Sequence, residues 1–81
     1  MELTARTAEQ IGEALRRVRK GNGMTQADLS AMTNLRVATI SSLENGEPGT
    51  KLATVLAVMT ALNLEFRLVE RGEAVDIEDI F

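Results

Sequence analysis

Eighty-one residues suffice for one small domain with a modest core, a size at which a partner subunit often completes the burial. There is no Cys, His, Trp or Tyr, which excludes disulfides and Ser–His or Cys–His catalytic pairs and leaves zinc only an improbable all-carboxylate site. Nine basic against twelve acidic side chains give a net charge of −3, which at first sight argues against a nucleic-acid partner.

The chain opens with Met1 to Arg6, which lacks the basic-then-apolar order of a signal peptide. Thr7 and Gln10 then predict a capping box, with Ile11, Leu15 and Val18 as the apolar stripe of a first helix. Gly21-Asn22-Gly23 stops it, because Gly and Asn tolerate a left-handed cap. Thr25 and Asp28 start a second helix with Leu29 as its core residue, and Asn34 suits a left-handed turn. A short third helix carries Ile40 and Leu43 and ends at Asn45-Gly46. After a Glu47-Pro48-Gly49 loop, Thr50 is expected to cap a fourth helix. Leu52, Val55, Leu56, Met59 and Leu62 are expected to form its broad buried face, and Asn63 its C-cap. The apolar stretch from Leu52 to Leu62 is far shorter than the roughly 20 residues that a membrane helix needs, so no membrane partner is expected.

After Asn63 the period changes. Leu64, Phe66 and Leu68 alternate with Glu65 and Arg67, the pattern of a half-buried strand. A lone strand leaves its backbone groups unpaired, and two solutions are open. It pairs with the same strand of a second copy, making a homodimer with Leu64, Phe66 and Leu68 at the dimerisation face, or it packs on the helices of its own chain. The tail from Gly72 carries Glu73, Asp76, Glu78 and Asp79 with no basic residue, mixed with Val75, Ile77, Ile80 and Phe81. Three parts result: a four-helix unit over 1–63, a dimerisation strand over 64–71 and an acidic tail over 72–81. The fold class is mainly α, with one C-terminal β-strand.

Residues 24 to 46 carry the motif of most interest. Thr25-Gln26 opens a short helix containing Leu29; a turn residue precedes Leu35; Thr39-Ile40 and Leu43-Glu44-Asn45-Gly46 follow. This resembles the helix-turn-helix of the lambda-repressor/Cro-like (Xre) family over about residues 8 to 62. It departs at Asn34, where the family usually has Gly, and at Ser30, where it usually has Ala. The resemblance implies a second motif helix that enters the DNA major groove. It places Arg36, Val37, Ala38, Ser41 and Ser42 at base edges, and Thr25, Gln26, Thr39 and Asn45 at phosphates. It also implies a pair between Arg19 and Glu44; the alternative for Arg19 is a solvated basic face with Arg16, Arg17 and Lys20. Of the base-facing set only Arg36 can bond guanine in bidentate fashion, and Val37 and Ala38 offer apolar contact to thymine methyls.

The Ala38 to Ser41 run Ala-Thr-Ile-Ser and the strand 64–69 further resemble the HipB-type antitoxins. That similarity implies a bacterial cytoplasmic, nucleoid-associated homodimer that binds operator DNA, represses its own operon and neutralises a HipA-type serine/threonine kinase toxin by binding. No cofactor, metal or enzymatic step is implied. The alternatives are a solitary Xre-type transcriptional regulator without a toxin and an interaction module that never touches DNA. In the antitoxin frame Ile77, Ile80 and Phe81 would dock on the toxin; otherwise the tail is a solvated terminus. Charge is also uneven: residues 1–51 sum to +1 and residues 52–81 to −4, so the acidity belongs to the C-terminal end and does not exclude DNA.

Overall fold

A computed structural model of the chain describes residues 3–71. Four helices follow in order: α1 (Ala8–Gly21), α2 (Gln26–Thr33), α3 (Val37–Glu44) and α4 (Leu52–Ala61). α3 packs on both α1 and α2, and α4 packs on α2. Leu15, Val18, Leu29, Ile40, Leu43, Val55, Val58, Met59 and Leu62 form one buried cluster, with Ile11, Met24, Leu35, Ala61 and Leu64 packed around it. Leu29 and Ile40 have no exposed surface. Burying a side chain of this kind stabilises the fold by about 1.5–3 kcal/mol, so a core this small depends on each member.

The helix ends show how local sequence sets these limits. At α1 the Thr7 hydroxyl accepts from the Gln10 backbone N–H at 3.0 Å, but the Gln10 side chain accepts from the N–H of Arg6 and not of Thr7. The expected box is thus displaced by one residue on its return arm. At α2 both arms close on the expected pair, Asp28 N–H to the Thr25 hydroxyl at 3.0 Å and Thr25 N–H to the Asp28 carboxylate at 2.8 Å. These bonds hold the Asp28 carboxyl below its ordinary pKa. α4 departs from expectation. Its N-cap is Lys51 with no side-chain cap bond, and the Thr50 hydroxyl donates instead to the Glu47 carbonyl, closing the preceding loop.

Three helices end in the same closure. Met24, Glu47 and Leu64 each donate their N–H to a carbonyl five residues back, those of Arg19, Ser42 and Met59. The preceding residues, Gly23, Gly46 and Asn63, take positive φ, the geometry of a Schellman motif. Asn63 therefore lies one position beyond the α4 C-cap, which is Leu62. α2 ends differently, with Asn34 itself the left-handed C-cap at φ 63°. Asn tolerates this conformation better than other L-residues, so the Gly usual at this position is dispensable. Ser30, the second departure, also acquires a reason: its hydroxyl donates to the Leu35 carbonyl and ties α2 to the turn.

The buried face of α4 is rotated from the expected one. Val55, Val58, Met59 and Leu62 face the core, whereas Leu52 is 62% and Leu56 43% exposed. Val58 falls at i+3 from Val55, which places it on the inner stripe in place of Leu56. The expected strand is not formed: among the described residues no strand occurs, and 64–70 has no regular secondary structure. A ladder needs a second strand, and the described residues supply none. Leu64 touches the core, while Phe66 and Leu68 stand exposed. The tail residues Ile77, Ile80 and Phe81 lie outside the described residues. Among the described residues no helix is long and apolar enough to cross a membrane.

Gly12 was not anticipated as a packing residue. It is buried where α1 meets the end of α3, and a Cβ there would stand 2.6 Å from the Glu44 carbonyl oxygen and closer still to that of Leu43. Gly12→Ala sets two effects against each other. Helix propensity favours Ala by about 1 kcal/mol, and overpacking against backbone opposes it by about 1–3 kcal/mol. The rigid neighbour decides the sign: the expected result is a lower urea midpoint, and a raised one would refute the close approach.

Candidate nucleic-acid interface

The helix-turn-helix geometry rests on a buried charge cluster. Arg19, on α1, reaches Glu44 at the end of α3 through two bonds, Nε to Oε2 at 2.7 Å and Nη2 to Oε1 at 2.9 Å. Its Nη1 donates to the Met24 carbonyl at 2.8 Å, in the link between α1 and α2. Gln26, the first residue of α2, adds a fourth bond, Nε2 to Glu44 Oε1 at 3.0 Å. Arg19 and Glu44 are both buried, and no buried side-chain polar atom among the described residues lacks a partner. Planar bidentate pairing of this kind is the strong form of an ion pair.

Electrostatics follow the contacts. Burial pushes the Glu44 carboxyl up, but hydrogen bonds from Arg19 and Gln26 and the charges of Arg19 and Arg16 outweigh it, and the group sits below its ordinary pKa. Arg19 is shifted up, chiefly by its hydrogen bond to Glu44. Both groups stay charged across the ordinary pH range, so the cluster is a permanent clamp.

The outer side of the motif is open. Arg36 is the N-cap of α3, and it is exposed together with Val37, Ala38 and Ser42. Ser41 and Thr39 are half-buried, lying closer to the core side of the same short helix. Thr25 is the exposed N-cap of α2, Gln26 is half-buried, and Asn45 is the exposed C-cap of α3. α3 is eight residues long, and an α-helix with its side chains, about 10–12 Å across, fits the roughly 12 Å width of a B-DNA major groove. Arg36, Val37, Ala38 and Ser42 thus share a free edge; Ser41 is set back from it. Among the described residues no cluster of acidic, His or Cys side chains could hold a metal.

A family model for the helix-turn-helix matches residues 15–69. Two proteins named Antitoxin HipB, from Escherichia coli O6:H1 and Escherichia coli (strain K12), are each 34% identical over 65 residues. The alignments cover 80% of this chain and 69% and 74% of theirs. The chain belongs to the HipB antitoxins of the helix-turn-helix family. Among solved structures, a HipB-O4 20mer complex superposes with a TM-score of 0.81 at 30% identity, covering 86% of this chain and 99% of the other. A HipA-HipB-O2-O3 complex gives a TM-score of 0.80 with the same identity and coverage. The HipB likeness thus extends over the whole four-helix architecture.

Within this HipB-family fold, two features of the interface escape a reading of the sequence. One is the attachment of Gln26 to Glu44, which arises between residues 18 apart and has no local signal. The other is Gly12, whose signal was present: a glycine inside a helix is unfavourable unless close packing requires it.

Proposed function

We propose that this chain is a DNA-binding antitoxin. As a homodimer it binds operator DNA, represses its own operon and neutralises a HipA-type serine/threonine kinase toxin by binding, with no chemistry of its own. The observation that carries this is the free edge of α3, with Arg36, Val37, Ala38 and Ser42 exposed on a helix clamped from behind, in a chain of the HipB family. The relatives solved as a HipB-O4 20mer complex and a HipA-HipB-O2-O3 complex support both halves of the reading.

The residues take distinct roles. Arg36 bonds a guanine edge, Val37 and Ala38 touch thymine methyls, and Ser41 and Ser42 discriminate weakly. Thr25, Gln26, Thr39 and Asn45 hold phosphates and set the register. Leu64, Phe66 and Leu68 line the strand that pairs across the dimer, and Ile77, Ile80 and Phe81 dock on the toxin. With so few direct base contacts, DNA shape carries part of the specificity. The two half-sites of a dimer fall about 10–10.5 base pairs apart or a multiple of that. Such a protein works at the bacterial nucleoid.

The test is a mobility-shift titration with the DNA upstream of its own gene, together with a pull-down of the neighbouring gene product after co-expression. A complex in the range of about 10⁻⁸–10⁻¹¹ M and a co-purifying kinase are expected. No shift would defeat the DNA half, and no partner the antitoxin half. Arg36→Ala is expected to relax preference at one base position and weaken operator binding by about 1–3 kcal/mol. Unchanged affinity and preference would mean that α3 is docked in another register.

A further inference from the structure

The Gln26 side chain does not stand free at the start of α2. Its Nε2 donates to Glu44 Oε1 at 3.0 Å, and the same oxygen accepts from Arg19 Nη2 at 2.9 Å. A carboxylate only accepts hydrogen bonds, so the nitrogen of this carboxamide, and not its oxygen, must face Glu44. That nitrogen carries two N–H groups. One is taken by Glu44, and the other has no partner among the described residues. The carboxylate in turn cannot rotate, because the Arg19 fork holds both of its oxygens and Arg19 is itself anchored to the Met24 carbonyl.

We propose that Glu44 is a positioning residue for the contact of Gln26 with the DNA backbone. Seated in the Arg19 fork, it fixes which way the carboxamide faces and keeps one N–H available to a phosphate oxygen. In the opposite orientation the carboxamide would present its oxygen to the phosphate, and two acceptors would repel. The buried pair thereby does more than join α1 to α3: it sets the polarity of a group on α2. This inference rests on the DNA-binding reading above.

The test is operator affinity measured by fluorescence anisotropy in three variants, with melting curves run in parallel. Gln26→Ala is expected to weaken binding roughly tenfold, the worth of one hydrogen bond to a charged group, with a modest fall in melting temperature because Arg19 still holds both Glu44 oxygens. Arg19→Met with Glu44→Leu replaces the pair by apolar residues, a change that buried ion pairs often tolerate without loss of fold. It is expected to weaken binding by a similar factor, and adding Gln26→Ala to it should cost nothing more. The inference is overturned if the apolar-pair protein folds and binds as tightly as the parent, or if Gln26→Ala keeps its full effect on that background.

If the apolar-pair protein does not fold, the parent decides by NMR of its Gln26 side-chain amide. On addition of operator one of the two protons is expected to move while the proton facing Glu44 keeps its shift. Movement of neither proton, or loss of the bonded one, overturns the inference. A parent that forms no operator complex overturns it together with the DNA-binding reading. A parent that binds while the variants behave independently overturns it alone.

Discussion

Glu44→Ala is expected to destabilise the domain by about 3–5 kcal/mol, a large part of the stability of any chain this small. The loss is not the worth of the bonds themselves. It arises because Arg19 stays buried with its charge unanswered, and because Gln26 loses its acceptor at the same time. Equilibrium urea unfolding of parent and variant measures it, and a near-zero shift would show that Arg19 escapes to solvent. The same carboxylate makes stability depend on acid. Its folded pKa is depressed, so its contribution is fully present above the unfolded value of about 4.3. As the pH drops below that, the unfolded chain binds a proton that the folded one refuses. The contribution is lost as the pH falls through the depressed folded value. Asp28, shifted the same way by its capping bonds, acts in the same direction.

Phe66→Asp is expected to yield monomers and to lower operator affinity by about 10²–10⁴-fold, the gain that linking two half-site contacts normally provides. In the single chain Phe66 is 48% and Leu68 96% exposed, and Leu52 and Leu56 add apolar surface on α4. In the proposed dimer a second copy would cover these groups. Phe66 is not in the core cluster, so the substituted chain should still fold. Sedimentation velocity and an operator titration measure the two effects. A variant that stays dimeric, or a parent that is monomeric, would remove the basis for the interface.

The helices were legible because each carries its own punctuation. Thr25 with Asp28, Gly23, Asn34 and Gly46 act within a few residues of where they sit, and local hydrogen bonds decide their outcome. The inner face of α4 was harder. With apolar residues nearly all round that helix, periodicity cannot separate Val58 from Leu56; only contact with α2 can. The strand pattern at 64–69 belongs to the same class, since a ladder needs a second strand and the described residues hold none. At the interface, the resemblance to the helix-turn-helix family pointed to Arg36, Val37, Ala38, Ser41 and Ser42. The bond from Gln26 to Glu44 depended on how two helices cross, which no short stretch of sequence encodes.

Gly12 and Gly46 let the start of α1 lie with its backbone directly against the end of α3. A joint of that kind has no slack. Side-chain packing can give by switching rotamers, but main chain against main chain cannot yield without distorting both helices. If α3 reads an operator as proposed, it therefore advances or tilts only together with α1. In the proposed dimer, any mismatch between its two heads and the spacing of their half-sites would become a load carried by the duplex. Flexible pyrimidine–purine steps between the half-sites would lighten that load, so base pairs that the protein never touches would enter its selectivity.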